Sequence, residues 1–288
     1  MYDCIEINFE ELTNFEFDTP VIIIAESGGT KTDWRIKNNN QLISFQTINF
    51  HPKTIKEAQF SIIKDLSDTI PHSSSMFFFG SGCIQIENQN IIKNIFTPLN
   101  LNNLQVHSDL IAAGISIYGS GKGYVGILGT GSVLCEFNNY NIDSIHGGYG
   151  YLLGDEGSGY YFGKLAIEYF LKKEGTKEFQ ELVEKTYGNR DDILSKVYSE
   201  NGKQFIGQLQ LNSTNQNLQA EINQLHKQNM NLFLDKYLPK NEQIEEIGFV
   251  GSYAFYNKEI LQELLTIKGY NLTMIVQKPI DKLITHYF

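Results

Sequence analysis

The sequence predicts an α/β protein of two domains, a duplicated pair of α/β units around a cleft. Three observations predict it. The chain has 288 residues, long for one ordinary domain and comfortable for two. Short apolar, β-branched runs alternate with stretches of helical periodicity. Each half also opens in the same way, with a strand, a turn of glycine and hydroxyl residues, and a second strand. The turn is "SGGTKT" at 27–32 in the first half and "GTGS" at 129–132 in the second. The two repeat by pattern and not by identity.

Residues 1–19 are an acidic leader with no evident place in a core, and they are expected to be dispensable for chemistry. Pro20 opens "VIIIA", a buried strand bounded by turn signals. "DWRIKNNNQLISFQTI", 33–48, reads as strand, Asn-rich turn, strand. Residues 54–70 place Ile55, Ala58, Ile62, Ile63 and Leu66 at helical spacing. "MFFFG" is the next buried strand and runs into "GSGC", and residues 87–97 read as helix. "LQVHSDLIAAGISIYG" is a strand feeding a helix, with Ser108 or Asp109 near the helix start. "YVGILGTGSVLCEF" is two strands around a Gly-Thr-Gly turn. "YNIDSIHGGYGYLLGDEGSG" is glycine-rich yet studded with aromatics. Several helices follow over about 157–237. "IEEIGFVGSYAF", 244–255, returns to a buried strand ending at Gly251 and Ser252. A helix, the strand "NLTMIV" and a last helix "PIDKLITHYF" close the chain. The expected division is 1–112 for the N-terminal domain and 113–288 for the C-terminal one. The latter carries the helical insertion, and its last helix packs back on the N-terminal domain.

Bulk properties narrow the function. Hydrophobic residues make up 41% and charged ones 19%, enough for a real core and against disorder. The net charge is −10 and no basic run occurs, which argues against a nucleic-acid partner. The three cysteines, Cys4, Cys83 and Cys135, are far apart and in no CxxC pattern, which points to a reducing compartment and no structural zinc. The acidic start lacks the basic region of a secretory signal, and no apolar run approaches the ~18 residues of a membrane span. A soluble cytoplasmic protein is expected, so the N-x-S/T matches at Asn212 and Asn271 are read as chance.

A tight turn between strands gathers backbone N–H groups into one concavity, and glycine lets an anion approach that backbone. Gly28, Gly29, Thr30, Lys31 and Thr32 form one such turn, and Gly129, Thr130, Gly131 and Ser132 form another. Two such turns would grip two parts of a polyphosphate, and Gly251–Ser252 is a third strand end of the same kind. Either turn alone could be a plain hairpin. No G-x-x-x-x-G-K-[ST] motif occurs, and "GKGYVG" at 121–126 precedes a strand instead of following one.

Glu26 ends the first strand. An acid there repels phosphate, so it makes sense with a cation between them, and it predicts Mg2+. Otherwise it pairs with Lys31 across the turn. Asp109 at a strand–helix junction is either an acid at a cleft edge or a helix cap worth about 1 kcal/mol. Asp155 and Glu156 in "GDEGSG" lie before a helix, where a capping turn is the plainer reading for Glu156. His51, His107 and His146 are scattered, so no metal cluster is visible.

Taken together, "SGGTKTDW", "FGSGC", "HSDLIAAG", "GILGTGS", "GGYGYLLGDEGSG" and "GFVGSYAF" resemble the N-acetylglucosamine kinase branch of the sugar kinase/Hsp70/actin superfamily, the BadF/BadG/BcrA/BcrD ATPase group, over about residues 21–288. The resemblance implies two ribonuclease H-like (actin-like ATPase) domains hinged around an ATP cleft. It also implies Mg-ATP-dependent phosphorylation of an amino sugar, N-acetylglucosamine first, on the 6-hydroxyl. By position, Gly28, Gly29, Thr30, Lys31 and Thr32 then belong to the first phosphate loop, Gly129–Ser132 to the second, and Gly251 and Ser252 to the adenosine motif. Asp109 matches the catalytic base and Asp155 an acid that bonds sugar hydroxyls. Gly148, Tyr149 and Gly150 match a wall of the sugar site.

Two departures stand out. The family's first loop starts with Asp where this chain has Glu26, which would reach the metal through water. In "TINFHP", residues 47–52, His51 takes the place of a sugar-binding Asn and Asn49 that of a Gly, while another register lets Asn49 serve. The expected partner is a small-molecule sugar, with no nucleic acid and no membrane, and a homodimer is left open. Two other functions compete. One is a non-catalytic sugar or nucleotide sensor. The other is the activator ATPase of a CoA-ester dehydratase, which needs clustered cysteines that this chain lacks.

Overall fold

The computed structural model describes residues 2–239 and 246–288, and the chain divides into two units. The first holds the residues up to Lys122 together with Phe137–Ile142 and Lys278–Phe288, and the second holds Gly123–Glu136 and Asp143–Gln277.

In the first unit the elements run β1 (Asp3–Glu6), α1 (Phe9–Leu12), β2 (Ile22–Ser27), β3 (Lys31–Asn38), β4 (Gln41–Ile48), α2 (Glu57–Thr69), β5 (Ser75–Gly80), α3 (Ile86–Ile95), β6 (Asn103–Ser108) and α4 (Asp109–Tyr118). The strands form one sheet in the order β1-β4-β3-β2-β5-β6. β2, β3 and β4 are antiparallel neighbours. β5 and β6 join in parallel, as strands linked through helices do. Trp34 anchors the core. Its ring lies flat on Phe45 at 5.6 Å and edge-on to Phe50 and Phe96. Its Nε1–H donates to Thr47 Oγ1 at 2.8 Å, so the buried indole keeps a hydrogen-bond partner.

The acidic leader is part of this unit and not an appendage. β1 pairs in parallel with β4, Cys4 opposite Leu42. Leu12 is buried, and Phe9 packs on Phe45 at 5.7 Å. Backbone pairing anchors β1, whose side chains are mostly exposed, and hydropathy does not register that kind of anchoring.

In the second unit follow β7 (Lys122–Leu128), β8 (Ser132–Asn138), β9 (Asn141–Gly147), α5 (Gly159–Leu171), α6 (Lys177–Tyr187), α7 (Arg190–Val197), α8 (Gly202–Gly207), α9 (Gln216–Tyr237), β10 (Glu246–Val250), α10 (Ser252–Tyr256), α11 (Lys258–Lys268) and β11 (Asn271–Val276). The expected start of β10, Ile244 and Glu245, lies outside the described residues. The sheet order is β11-β10-β7-β8-β9. β9 occupies the start of the segment read as glycine-rich, because its glycines begin only at its last residue, Gly147. The helix α12 (Ile280–Tyr287) returns to the first unit, where it packs on β2, β3 and α4.

Written from opposite ends, the two sheets share one order. β4-β3-β2-β5-β6 corresponds to β9-β8-β7-β10-β11, and β10 is parallel to β7 as β5 is to β2. The repeat seen in the turns is therefore a repeat of the whole sheet, with β1 as the addition.

Candidate active site

The first turn lies between β2 and β3 and is closed by Gly28 N–H to the Lys31 carbonyl, 3.0 Å. The segment after β4 pins it. Ser27 Oγ donates to the Phe50 carbonyl at 3.1 Å and accepts Phe50 N–H at 2.8 Å. Asn49 Nδ2 donates to the Gly29 carbonyl at 3.1 Å. A Cβ on Gly29 would meet no atom within 4 Å, and Thr30 and Lys31 are exposed, so one face of the turn stays open. Thr32 does not contribute its hydroxyl to that face. It is fully buried, with Oγ1 2.9 Å from Ser27 Oγ and 3.2 Å from the Ile48 carbonyl.

Glu26 sits opposite Asp33 on β3 and beside Phe79 on β5. Its Oε2 accepts the N–H of Ile280, the first residue of α12, at 3.0 Å. A helix N-terminus has free N–H donors and a positive end of its dipole, so a carboxylate is favoured there. Lys31 pairs with Asp33 at 3.9 Å. Asp33 also accepts from Gln46 Nε2 at 2.7 Å and Lys278 Nζ at 3.3 Å. Burial pushes the Glu26 carboxyl up to about 8. The Ile280 N–H works against this, and the charges of Asp33, Asp109 and Asp281 add to it.

Asp109 is the first residue of α4. Burial raises its carboxyl to about 6, although the N–H groups of Leu110 and of Asp109 itself and the Ser81 side chain all bond the ionised form. The N-cap residue of α4 is Ser108, and the Asp109 carboxyl bonds the N–H groups at the start of that helix. His51 accepts Lys53 N–H on Nδ1 at 3.2 Å. Its Nε2 lies 2.6 Å from where a Cβ on Gly82 would be, so the ring needs a glycine in the loop after β5.

In the second unit, residues 155–160 clamp the β7–β8 turn. Gly159 N–H donates to the Gly129 carbonyl at 2.8 Å and Tyr160 N–H to the Thr130 carbonyl at 3.4 Å. Ser132 Oγ donates to the Glu156 carbonyl at 2.6 Å, and Ser132 N–H to Asp155 Oδ1 at 3.2 Å. The Ser132 hydroxyl is therefore spent on the fold, while Thr130 stays exposed. Asp155 is a buried residue with φ +65°, a conformation costly without glycine and found where a site over-determines it. Burial raises its carboxyl, opposed by the Ser132 N–H and by the charge of Lys203.

Glu156 is structural. Burial would raise its carboxyl, but bonds from Lys236 and Tyr237 hold it below the ordinary value. Asn229, fully buried on α9, holds the same loop from below. It accepts Gly157 N–H at 2.7 Å and donates to the Ser158 carbonyl at 2.8 Å and to Tyr253 Oη at 2.9 Å. Gly251, with φ +108°, has no room for a side chain, because a Cβ would lie 2.4 Å from the Leu128 carbonyl oxygen. Gly148 and Gly150 both have positive φ, and Tyr149 between them is exposed.

A cavity of about 560 Å³ in this unit is lined by Gly129, Thr130 and Ser252, by Phe162, His226 and Tyr253, and by the carboxamides of Gln210, Asn212, Gln219, Asn223 and Asn257. It brings the second turn and the 251–252 pair to one place. Sequence reading missed the carboxamides, which are single residues spread over unrelated helices and loops and form no motif. It also missed Ser81, Asp33 and Asn229. Among the described residues no three His, Cys, Asp or Glu side chains could hold a metal on their own. No helix there is long and apolar enough to cross a membrane.

No family model matches the chain. It is 29% identical over 206 residues to an N-acetyl-D-glucosamine kinase of Dictyostelium discoideum, over 62% of this chain and 64% of that protein. It is 26% identical over 198 residues to an N-acetylmuramic acid/N-acetylglucosamine kinase of Clostridium acetobutylicum, with the same coverage of 62% and 64%. The chain thus spans a little under two thirds of the length of the curated relatives it matches. Its structure matches a crystal structure of a candidate N-acetylglucosamine kinase from Porphyromonas gingivalis with a TM-score of 0.78 at 24% identity, over 92% of this chain and 98% of that one. The motif resemblance to N-acetylglucosamine kinases is borne out by these matches, and the two-domain actin-like ATPase fold is the fold of this chain.

Proposed function

We propose that the chain is an ATP-dependent sugar kinase that phosphorylates an amino sugar, N-acetylglucosamine first, on its 6-hydroxyl. One observation carries the reading furthest. The cavity of about 560 Å³ has the size of a nucleoside site and is lined by the Gly-Thr-Gly turn and Ser252, so a nucleotide seated there has its phosphates beside a backbone suited to anions. The sequence matches to N-acetylglucosamine kinases support the sugar class.

In this reading Asp109 accepts the proton of the acceptor hydroxyl, and the donors of Leu110 and Ser81 orient its carboxylate. Asp155 accepts from sugar hydroxyls with the carboxylate oxygen not given to Ser132. The turn of residues 28–31, held by Asn49, and the turn of residues 129–131, held by Gly159, are each suited to phosphate. Positioning and charge neutralisation are most of what phosphoryl transfer asks of a protein. The donor set fits Mg2+ by its chemistry, because Glu26 and Asp33 stand opposite each other on β2 and β3 and offer the carboxylate oxygens that this ion takes. Glu26 would hold the ion through water, and Mg2+ when bound neutralises phosphate charge. The three scattered cysteines, in no CxxC pattern, support a cytoplasmic enzyme.

The test is ADP release with a panel of amino sugars, coupled to mass spectrometry of the sugar. Sugar-stimulated ADP release with one phosphate gained by the sugar supports the kinase. Binding of sugar and ATP without turnover replaces it with a sensor. The dehydratase-activator reading has no support among the described residues, where Cys4 is exposed and Cys83 and Cys135 are buried.

A further inference from the structure

We propose that Lys203 is a substrate-binding cation that neutralises phosphate charge at the Gly129–Ser132 turn. The inference deepens the kinase reading and rests on it. The first turn carries its own cation, Lys31, whereas the second has none within it. α8 is packed where such a charge is needed. A Cβ on Gly207, its last residue, would lie 3.4 Å from Thr130 Cγ2, and Gly207 and Thr130 both line the cavity. Lys203 stands about 6 Å earlier along the same helix, within the reach of a lysine side chain.

A second path leads to the same place. Lys203 Nζ lies 4.7 Å from the centre of the Tyr151 ring. Tyr151 packs edge-on to Tyr160 at 5.3 Å, and Tyr160 N–H is bonded to the Thr130 carbonyl. Asp155, which accepts Ser132 N–H, also feels the Lys203 charge. Among the described residues Lys203 takes part in no ion pair. Lys236, which also lies near this loop, is committed to Glu156. An ammonium resting on an aromatic ring is held weakly enough to exchange that contact for a charge-assisted bond to phosphate.

Calorimetry on the full chain with Mg2+ tests this with ATP and with adenosine, for the parent protein and for Lys203→Met and Lys203→Arg. Lys203→Met is expected to weaken ATP about tenfold, to leave adenosine within about twofold, and to flatten the salt dependence of ATP binding. Lys203→Arg is expected to stay within about threefold of the parent for ATP. ATP binding unchanged in the Met variant, or ATP and adenosine weakened equally, overturns the assignment. A parent protein that binds no ATP removes the kinase reading and this inference with it.

Discussion

The carboxylate of Glu26, at the end of β2, accepts the backbone N–H of Ile280, 254 residues later, at 3.0 Å. This explains the choice of the longer acid. Glu26 lies on the sheet, and its extra methylene spans to the first turn of α12. The same group faces Asp33 and feels Asp109, so one side chain serves both as a helix cap and as a member of the acidic set.

The two roles separate by substitution. Glu26→Gln keeps an oxygen for Ile280 and loses the charge, so kcat with Mg2+ is expected to fall strongly while the fold holds. Glu26→Asp keeps the charge but withdraws from Ile280, costing about 0.5–2 kcal/mol of stability with Mg-dependent activity retained. The pH dependence gives the sign. The folded carboxyl sits at about 8 against 4.5 when free, so its contribution to stability is full below about 4.5 and lost as pH rises through about 8. The Gln variant lacks this slope, and its melting temperature should exceed that of the parent most clearly at pH 8 and above. Equal melting curves for both proteins across that range would remove the burial argument.

Asp109 must be ionised to take a proton, and burial places its carboxyl at about 6. kcat is expected to level off above about pH 6 and to fall roughly tenfold per unit below it. Asp109→Asn should lose about 10²–10⁴ in kcat, with sugar affinity by calorimetry nearly intact. An Asn variant with more than about a tenth of the parent kcat leaves Asp109 with only a structural role at the start of α4.

Asp155→Asn keeps an oxygen for Ser132 N–H and removes the charge offered to sugar hydroxyls. KM for sugar should rise about tenfold or more, matching charge-assisted bonds of roughly 1.5–3 kcal/mol, while KM for ATP moves little. Equal rises in both would assign Asp155 to the turn only.

Asn229→Ala strands the buried Gly157 N–H and takes one partner each from the Ser158 carbonyl, which keeps Phe162 N–H, and from the Tyr253 hydroxyl, which keeps His226 Nδ1. The expected loss is about 1–3 kcal/mol, read by denaturant unfolding. Asn229→Asp, which keeps the oxygen for Gly157 but loses both donated bonds, is expected to fall between. A loss under about 0.5 kcal/mol in the Ala variant would mean that the loop is held from elsewhere.

Removal of residues 1–19 takes away β1, its pairing with β4 and the buried Leu12. Stability is expected to drop by about 2–4 kcal/mol, counting the apolar burial alone, while kcat at low temperature stays near that of the full chain. A truncated protein that melts with the parent would return these residues to the surface.

What the sequence revealed followed the range of its signals. Strands such as Ile22–Ser27 and the Gly-Thr turns were legible, because burial and turn chemistry act over a few residues. β9 was hidden by the glycines that follow it, and β1 by side chains that stay exposed. The hydroxyls of Thr32 and Ser132 look like phosphate donors in a motif, but their direction depends on Ser27 and Glu156. The ties of Glu26 to Ile280 and of Gly157 to Asn229 join residues that no local pattern relates. The carboxamides of the cavity are ordinary surface residue types until the fold gathers them.

The discontinuity of the first unit bears on how the protein is made. Its sheet is translated before the second unit, but α12, which buries Ile280 and Leu283 and lays Tyr287 against Phe77 at 4.2 Å, is translated after it. Until it emerges, the nascent chain carries an uncovered aromatic sheet face and an uncapped acid through synthesis of the whole second unit. Such exposed apolar surface invites aggregation and chaperone capture. A stall or a truncation near Lys278 would therefore harm the N-terminal half of the molecule, the part already synthesised.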